Sequence, residues 1–317
     1  TPMSAPPAPG AAPTTPSEAQ RAPLRQRSWK SRMREPLTGL IFILPMLVLF
    51  VIFRYVPTLG AGFMSFTDYK LYGGFEFVGL DNYTDLIGDT LFLNSVKITL
   101  LYAVIYVPLI FIVAMGTALL LNTVVWGQGF FRGAIFLPYV TSFVLAGIIW
   151  LWVYQGDGLI NGIITQLGGD RIAFVTGGQM EVLSSLAVVS VWKGFGYSML
   201  ILMAGLKSVP EEYHEAAKID GAGAVRRFFS ITLPLLKPVI FFVMVIETIA
   251  AFQVFDTVYV MTGGGPARAS NVLVYMLYQQ GFQFFNFGYA AAIGVALFVI
   301  VFLISIVQRF FLDREVS

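Results

Sequence analysis

The sequence contains no cysteine and only one histidine, His214. Disulfides, thiolate metal sites, cysteine nucleophiles and histidine-rich metal centres are therefore excluded. Charged residues make up 12% of the 317 residues, against about 25% in typical soluble domains. The net charge of +2 excludes a nucleic-acid binder that relies on strong overall positive charge. No Ser/His/Asp triad, metal-ligand cluster or paired-carboxylate arrangement is evident, so the sequence predicts neither a catalytic nor a metal site.

Hydrophobic residues are abundant: they make up 57% of the chain, and the mean hydropathy is +0.76. A water-soluble fold of this length could not hide so much apolar surface, because part of every compact fold faces solvent. The composition therefore predicts a protein whose solvent is a lipid bilayer.

Six apolar stretches are long enough to cross about 30 Å of hydrocarbon as helices. They are Leu37–Phe53, Val96–Leu121, Phe130–Val153, Val182–Leu206, Val239–Met261 and Gly288–Phe311. Their continuous apolar character favours helices over a β-barrel, whose strands alternate. The predicted fold class is thus an all-α membrane protein with six transmembrane helices. Prolines inside the spans, such as Pro108 and Pro138, fit either tolerated kinks or gating elements.

Basic residues predict the orientation. Residues 1–36 read as a disordered, basic N-terminal tail, 37–311 as the transmembrane domain and 312–317 as a short C-terminal tail. Lysine and arginine concentrate in the first tail, in the loop 207–237 and near the C-terminus. Because positive loops stay in the cytoplasm, both termini and the loop 207–237 are predicted to be cytoplasmic.

The loop 207–237 is predicted to contain two helices. Ser208-Val209-Pro210-Glu211 resembles a capping box, from which a helix would run to about Asp220. Gly221 would end this helix in the left-handed conformation, and a second helix would start near Ala224. Periodicity alone leaves two interpretations open: a helix lying on lipid headgroups, or a docking site for another protein.

The loop also carries a recognisable motif. Glu215-Ala216-Ala217 is followed after three residues by Gly221, and after nine more by Ile231-Thr232-Leu233-Pro234. This pattern resembles the cytoplasmic "EAA" motif of permease subunits of binding-protein-dependent ABC importers.

Four other segments strengthen the resemblance and point to the carbohydrate branch, in particular to the first permease subunit of maltose- and glycerol-3-phosphate-type systems. They are Phe77–Tyr83, Phe136–Tyr139, Val191–Tyr197 and Phe255–Pro266. The likeness covers residues 37–309.

The resemblance implies a subunit that works only with partners in a bacterial inner membrane. These would be a second homologous permease subunit, two ATP-binding subunits and an extracytoplasmic solute-binding protein, with the lipid bilayer around them and no nucleic acid. The loop would supply a coupling helix between the fourth and fifth spans, with contacts from Glu211, Glu215, Ala216, Ala217, Asp220, Gly221 and Ala222. The chain has no GxxxxGK[S/T] motif, so it is not expected to bind a cofactor itself, and ATP and Mg²⁺ would bind the partner ATPase subunits.

Polar residues at membrane depth indicate a substrate path, because charge there is costly. Glu247, Gln253 and Asp256 are spaced to share one side of the fifth helix, where aromatic rings alternate with them. The predicted path residues are Glu247, Phe252, Gln253, Phe255, Asp256, Tyr259, Lys193 and Tyr197. The alternative is that Glu247 or Asp256 pairs with Lys193 or with another helix to hold helices together.

The predicted function is import of a sugar or sugar-like solute: an oligosaccharide, a disaccharide or a glycerol phosphate derivative. The alternative is a self-sufficient secondary carrier or channel, which would need no ATP-binding partner. The sequence does not identify the cargo. His214, next to the motif, reads either as an ordinary polar helix residue or as a pH switch.

Overall fold

The computed structural model describes residues 29–71, 73–123 and 126–313, which form helices and connecting loops without a named β-strand. Residues 1–28 of the predicted disordered tail lie outside the described residues. The α-helices, in chain order, are α1 Trp29–Phe50, α2 Val56–Met64, α3 Asp81–Gly88, α4 Thr90–Thr123, α5 Gln128–Val140, α6 Phe143–Val153, α7 Leu159–Gln166, α8 Gln179–Ser208, α9 Glu211–Ile219, α10 Ala224–Arg227, α11 Leu233–Leu235, α12 Lys237–Phe252, α13 Asp256–Met261, α14 Leu273–Tyr278 and α15 Phe287–Asp313.

The chain divides into two compact units, with the boundary between Thr58 and Leu59. The first unit contains α1 and the π-helical turn Val51–Tyr55. Because α1 begins at Trp29, the last residues of the predicted tail are helical. The second unit contains everything from Leu59 onward and holds the features described below.

Five helical segments among the described residues are long and apolar enough to cross a membrane, and a bent pair supplies a sixth if it counts as one span. The five are Thr38–Met64, Thr90–Thr123, Gln179–Ser208, Lys237–Met261 and Phe287–Phe310. The bent pair is α5 and α6, whose axes differ by 94°. The predicted third span, Phe130–Val153, is therefore not one helix kinked at Pro138 but two helices that meet at a sharp bend.

The core of the second unit lies between the two longest of these helices, α4 and α8. Ile98 and Ile110 of α4 and Leu183 and Leu186 of α8 are completely buried in one cluster. A second cluster near the other ends of these helices includes Met199, together with small residues of α4 that allow close approach. Packing along this pair places polar groups from both helices beside α12.

The break in the third span has an identifiable cause. Pro138 lies in the last turn of α5, and the helix ends at Val140. Three carbonyl oxygens at this end accept hydrogen bonds from the Lys193 ammonium of α8, at 3.1 Å for Pro138, 3.0 Å for Tyr139 and 2.6 Å for Thr141. In hydrocarbon, backbone groups released by a broken helix need such partners. Lys193 therefore stabilises the bend.

The fifth span is interrupted too. The α-helix ends at Phe252, and a new helix starts at Asp256. The backbone N–H of Gln253 bonds to the carbonyls of Ile249 and Ala250, which marks a tightened last turn. The predicted uninterrupted helix through Glu247, Gln253 and Asp256 is therefore wrong, because residues 253–255 lie between the two helices.

Candidate functional site

A cavity of about 320 Å³ lies between α4, α8, α12 and the break in the third span; we call it the membrane cavity. Its wall contains six of the eight predicted path residues, namely Lys193, Tyr197, Glu247, Gln253, Phe255 and Asp256. These residues border the same space although the helix that carries three of them is interrupted after Phe252.

Glu247 is buried in the wall of the membrane cavity and its carboxylate is fully engaged. The Tyr106 hydroxyl donates to Oε2 at 2.8 Å, and the Ser198 hydroxyl donates to Oε1. These bonds connect α12 to α4 and to α8. Glu247 thus holds three helices together, as in the structural alternative, but its partners are hydroxyls and not Lys193.

Gln253 and Asp256 differ from Glu247 in being exposed. Lys193 donates to three carbonyls and its ammonium lies 4.2 Å from the centroid of the Phe143 ring. The expected pairing of Asp256 with Lys193 is therefore not formed as a contact within 4 Å among the described residues. The amide of Gln253 and the carboxylate of Asp256 remain available to a solute.

Aromatic rings line the membrane cavity as well. Tyr197 stacks on Tyr139 with centroids 5.2 Å apart, and Tyr102 stacks on Tyr106 at 5.6 Å. Phe255 lies in the wall and stacks on Tyr259 at 5.3 Å. Flat rings beside hydrogen-bonding groups suit a solute that has apolar ring faces and a hydroxyl edge.

Two predicted path residues lie outside the cavity wall. Phe252 is buried in the hydrophobic core, and Tyr259 is half-exposed in an aromatic cluster next to Phe255. Sequence reasoning missed Tyr102 and Tyr106, which do line it. Their signal was present, since tyrosines four residues apart in an apolar span put two hydroxyls on one helix face at membrane depth.

The predicted coupling residues lie on and just after α9. Glu211 and Glu215 are exposed on the helix, Ala216 is exposed and Ala217 half-buried, and Asp220 follows the last helical residue. The predicted capping box is wrong. Since α8 continues to Ser208, the serine hydroxyl donates to the carbonyl of Gly205 at 2.7 Å, and α9 starts after Pro210 without a side-chain cap.

The end of α9 confirms the predicted left-handed glycine. Gly221 has φ +78°, and its N–H donates to the carbonyl of Lys218 at 3.1 Å. The N–H of Ala222 donates to the carbonyl of Ala217 at 2.8 Å. This pair of bonds is a Schellman motif, which turns the chain sharply and satisfies the last carbonyls.

Exposed apolar side chains surround this turn. Tyr213 and Ile219 on α9, and Val225 and Phe229 just after it, are all mostly exposed, with Ile219 at 87%. The helix has three glutamates and one lysine. An acidic helix is poorly suited to the anionic headgroups that attract basic amphipathic helices. The charge of α9 therefore favours a protein partner for this helix.

Membrane-length helices around a polar, aromatic cavity, together with a loop that exposes the acidic helix α9, define a polytopic membrane transport protein. Residues 110–316 match the family model described as binding-protein-dependent transport system inner membrane component. The chain belongs to this family and is an inner-membrane permease subunit of the ABC importer type.

Relatives with named transport systems match most of the chain. It is 37% identical to the probable ABC transporter permease protein YesP of Bacillus subtilis, over 88% of this chain and 91% of the relative. It is 36% identical to the sn-glycerol-3-phosphate transport system permease protein UgpA of Agrobacterium fabrum, over 87% and 94%. The sulfoquinovosyl glycerol transport system permease protein SmoG of the same organism is 32% identical, over 83% and 86%.

Solved structures share the fold. A permease chain of a bacterial ABC transporter that imports the acidic polysaccharide alginate superposes with a TM-score of 0.76 at 24% identity, covering 90% of this chain and 98% of that one. The same transporter in complex with an alginate-loaded periplasmic protein gives 0.77, covering 91% and 98%. These likenesses support the arrangement of helices.

Proposed function

We propose that the chain forms half of the translocation path for a sugar or sugar-like solute: an oligosaccharide, a disaccharide or a glycerol phosphate derivative. The observation that carries this proposal is the membrane cavity, where the exposed amide and carboxylate of Gln253 and Asp256 adjoin aromatic rings. Hydroxyls would bond to the polar groups while ring faces stack on the aromatic side chains. The named cargoes of UgpA and SmoG belong to the same chemical class.

The partners proposed for the chain follow from its family and from the coupling loop. A second homologous permease subunit would complete the path, and an extracytoplasmic binding protein would deliver the solute. Two ATP-binding subunits would each receive one coupling helix. In this chain that helix is α9, whose Glu215 can accept charge-assisted hydrogen bonds from a partner arginine.

Energy would enter the chain through α9. ATP and Mg²⁺ would bind the partner subunits and no cofactor would bind this chain. Closure of the ATP-binding subunits would move α9 as a rigid body, and the attached spans would swing between inward- and outward-facing arrangements. Membership of the importer family counts against the alternative of a self-sufficient carrier or channel.

Reconstitution in proteoliposomes tests the proposal. The chain is assembled with its second permease, its ATPase subunits and its cognate binding protein, and uptake of labelled maltotriose, trehalose and glycerol 3-phosphate is measured alongside ATP hydrolysis. We expect ATP-dependent uptake of at least one probe, accompanied by stimulated hydrolysis. Accumulation by this chain alone, without ATPase subunits, would contradict the proposal.

Two substitutions, one inside and one outside the membrane cavity, test whether the solute contacts this cavity. Gln253→Leu removes an exposed amide from the wall, and we expect it to lower uptake several-fold. Gln166→Leu replaces an exposed glutamine at the end of α7, outside the cavity, and serves as the matched control. Equal uptake by both variants would show that the solute does not pass Gln253.

A further inference from the structure

A second, smaller cavity of about 190 Å³ lies next to the loop between α13 and α14; we call it the loop cavity. None of the predicted path residues lines it. Its polar lining consists of Arg268, Asn271, Gln279 and Gln280, and the ring of Tyr275 forms one wall.

Asn271 is the strongest indication of a missing partner. The residue is 6% exposed, and its side-chain Oδ1 is buried without a hydrogen bond in the part of the chain that the structure describes. Buried polar atoms are normally satisfied, so an orphaned one facing a cavity needs a donor from outside the chain. A hydroxyl group of a solute is such a donor.

The loop around this cavity is held in place by its own bonds. Ser270 is completely buried, and its hydroxyl oxygen lies within hydrogen-bond distance of Thr262 Oγ1 at 2.8 Å and of the carbonyl of Gly265 at 2.7 Å. Its backbone N–H donates to the carbonyl of Gly264 at 3.3 Å. The cavity is thus preformed and does not require a ligand to order the loop.

Gly264 keeps the loop cavity open. Its φ is +80°, and a Cβ at this position would lie 2.7 Å from Cε1 of Tyr275 and 3.5 Å from Oδ1 of Asn271. Any side chain here would therefore intrude between the tyrosine ring and the orphaned oxygen. The glycine leaves the space beside both groups free of a side chain.

Charge distinguishes the two cavities. The cation of the membrane cavity, Lys193, is engaged by three backbone carbonyls. The cation of the loop cavity, Arg268, is exposed and forms no ion pair within 4 Å with any carboxylate that the structure describes. Guanidinium groups bind carboxylate, phosphate and sulfonate groups through paired hydrogen bonds.

An aromatic cluster joins the walls of the two cavities. Tyr275 lines the loop cavity and Phe255 the membrane cavity, and their ring centroids lie 6.3 Å apart. Tyr259 and Tyr278 complete the cluster, at 5.3 and 5.2 Å from Phe255. A solute with a flat ring could pass from one cavity to the other while staying in contact with aromatic faces.

We propose that the loop cavity is a solute subsite that binds a hydroxylated, anionic group, such as a uronic acid or a phosphorylated polyol, before it reaches the membrane cavity. Asn271 accepts a hydroxyl, Arg268 pairs with the acid, and Tyr275 contacts the ring face. This inference rests on the proposed function and narrows its cargo to acidic members of the class.

The absence of cysteine permits a direct binding assay. A Gln280→Cys variant carries the only thiol of this chain, in the wall of the loop cavity, and Gln166→Cys serves as the matched control outside it; labelling is read on this chain after the subunits are separated. The assembled importer is placed in nanodiscs without binding protein or ATP, and the rate of maleimide labelling is measured. The probes form two matched pairs: glucuronic acid with glucose, and glycerol 3-phosphate with glycerol.

We expect the two acidic probes to slow labelling of the Gln280→Cys variant several-fold more than their neutral counterparts, and to leave the Gln166→Cys variant unaffected. Adding Arg268→Gln removes the difference between acidic and neutral probes. Adding Asn271→Leu weakens protection by all four. Because Arg268 is exposed, its variant remains informative even if Asn271→Leu disturbs the fold.

Three results would overturn the subsite. The first is no protection by any probe, which is the outcome for a cavity filled by water alone or used only to contact the binding protein. The second is equal protection by neutral and acidic probes, and the third is protection that survives Arg268→Gln. The assay needs neither ATP nor transport, so its failure is distinguishable from failure of the uptake experiment.

Discussion

Lys193 shows how one side chain can define a helix break in a membrane. Its ammonium bonds to the carbonyls of Pro138, Tyr139 and Thr141, where α5 stops and the chain turns by 94° into α6. The charge is costly at this depth, but so are three carbonyls without donors. The ammonium supplies the donors that the carbonyls need, and the carbonyls supply the acceptors that the charge needs. For this reason a lysine is tolerated in the middle of α8.

Replacing this lysine therefore tests the bend. Lys193→Met keeps the aliphatic stem but leaves the carbonyls without their donor, so we expect it to lower the free energy of unfolding by about 2 kcal/mol or more. Lys70→Met is the matched control, because Lys70 forms only an exposed ion pair with Asp68, worth about 0–1 kcal/mol. Detergent unfolding of the purified protein measures both. Equal stability of the two variants would show that the carbonyls find other partners.

Lys193 also shows how much of a single residue's role can be predicted from the sequence. Its position in an apolar span identifies Lys193 as unusual, and that much can be read from the sequence. Its partners are backbone carbonyls 52–55 residues away in the chain. A backbone carbonyl can come from any residue type, so the sequence suggests an acidic partner for Lys193 only as one alternative and does not identify these acceptors.

Among the elements, α9 combines a helix start rich in glutamate with a Schellman end at Gly221. The bonds at this end fix the direction in which the chain leaves the helix. A coupling helix that transmits force needs such a rigid exit. In the proposed coupling role of α9, force transmission depends on the geometry of Gly221.

Gly221→Ala probes this exit. A Cβ at Gly221 would have no atom within 4 Å, so the cost of the substitution comes from the positive φ alone. For an L-residue this conformational cost is roughly 1–2 kcal/mol. We expect Gly221→Ala to lower the uptake per ATP hydrolysed. Gly221→Asn should lower this ratio less, because asparagine tolerates the left-handed conformation. Gly223→Ala is the control, since Gly223 has equally open surroundings at φ −66°. An unchanged ratio of uptake to ATP hydrolysis in Gly221→Ala would show that the turn is not needed for force transmission.

Close packing of α8 against α5 depends on another glycine. A Cβ on Gly196 would lie 2.6 Å from the carbonyl oxygen of Ile135 and 3.1 Å from Cα of Phe136. We expect Gly196→Ala to force the helices apart and to cost about 1–3 kcal/mol of stability. Gly116→Ala, in α4 with no atom within 4 Å of the added carbon, should be neutral or slightly stabilising. Thermal unfolding in nanodiscs compares the two.

At the scale of the whole molecule, orientation in the membrane follows from the distribution of charge. The predicted topology places both termini and α9 in the cytoplasm, and the loop between α6 and α8 outside. Single thiols test it, because the natural chain has none. In intact cells, a membrane-impermeant maleimide should label Asp157→Cys directly and Lys218→Cys only after permeabilisation. The reverse pattern would put the coupling loop on the wrong side for ATPase subunits.

Hydropathy located the spans closely because burial in lipid is a property of each segment by itself. Five of the predicted spans overlap the five long apolar helices, and the sixth corresponds to the bent pair. The bend escaped prediction because Pro138 also fits a continuous, kinked helix. Only contact with α8 decides between the two.

The sequence by itself determined the solvent of this protein, the positions of its membrane segments, the family motif on α9 and the left-handed turn at Gly221. All of these depend on composition or on neighbouring residues in the chain. Only the tertiary structure decided that Glu247 bonds to hydroxyls, that Lys193 bonds to carbonyls, and that Gln253 and Asp256 face one cavity. Such partnerships join residues on different helices, and their pairing depends on the packing and breaks of those helices, which no local pattern encodes.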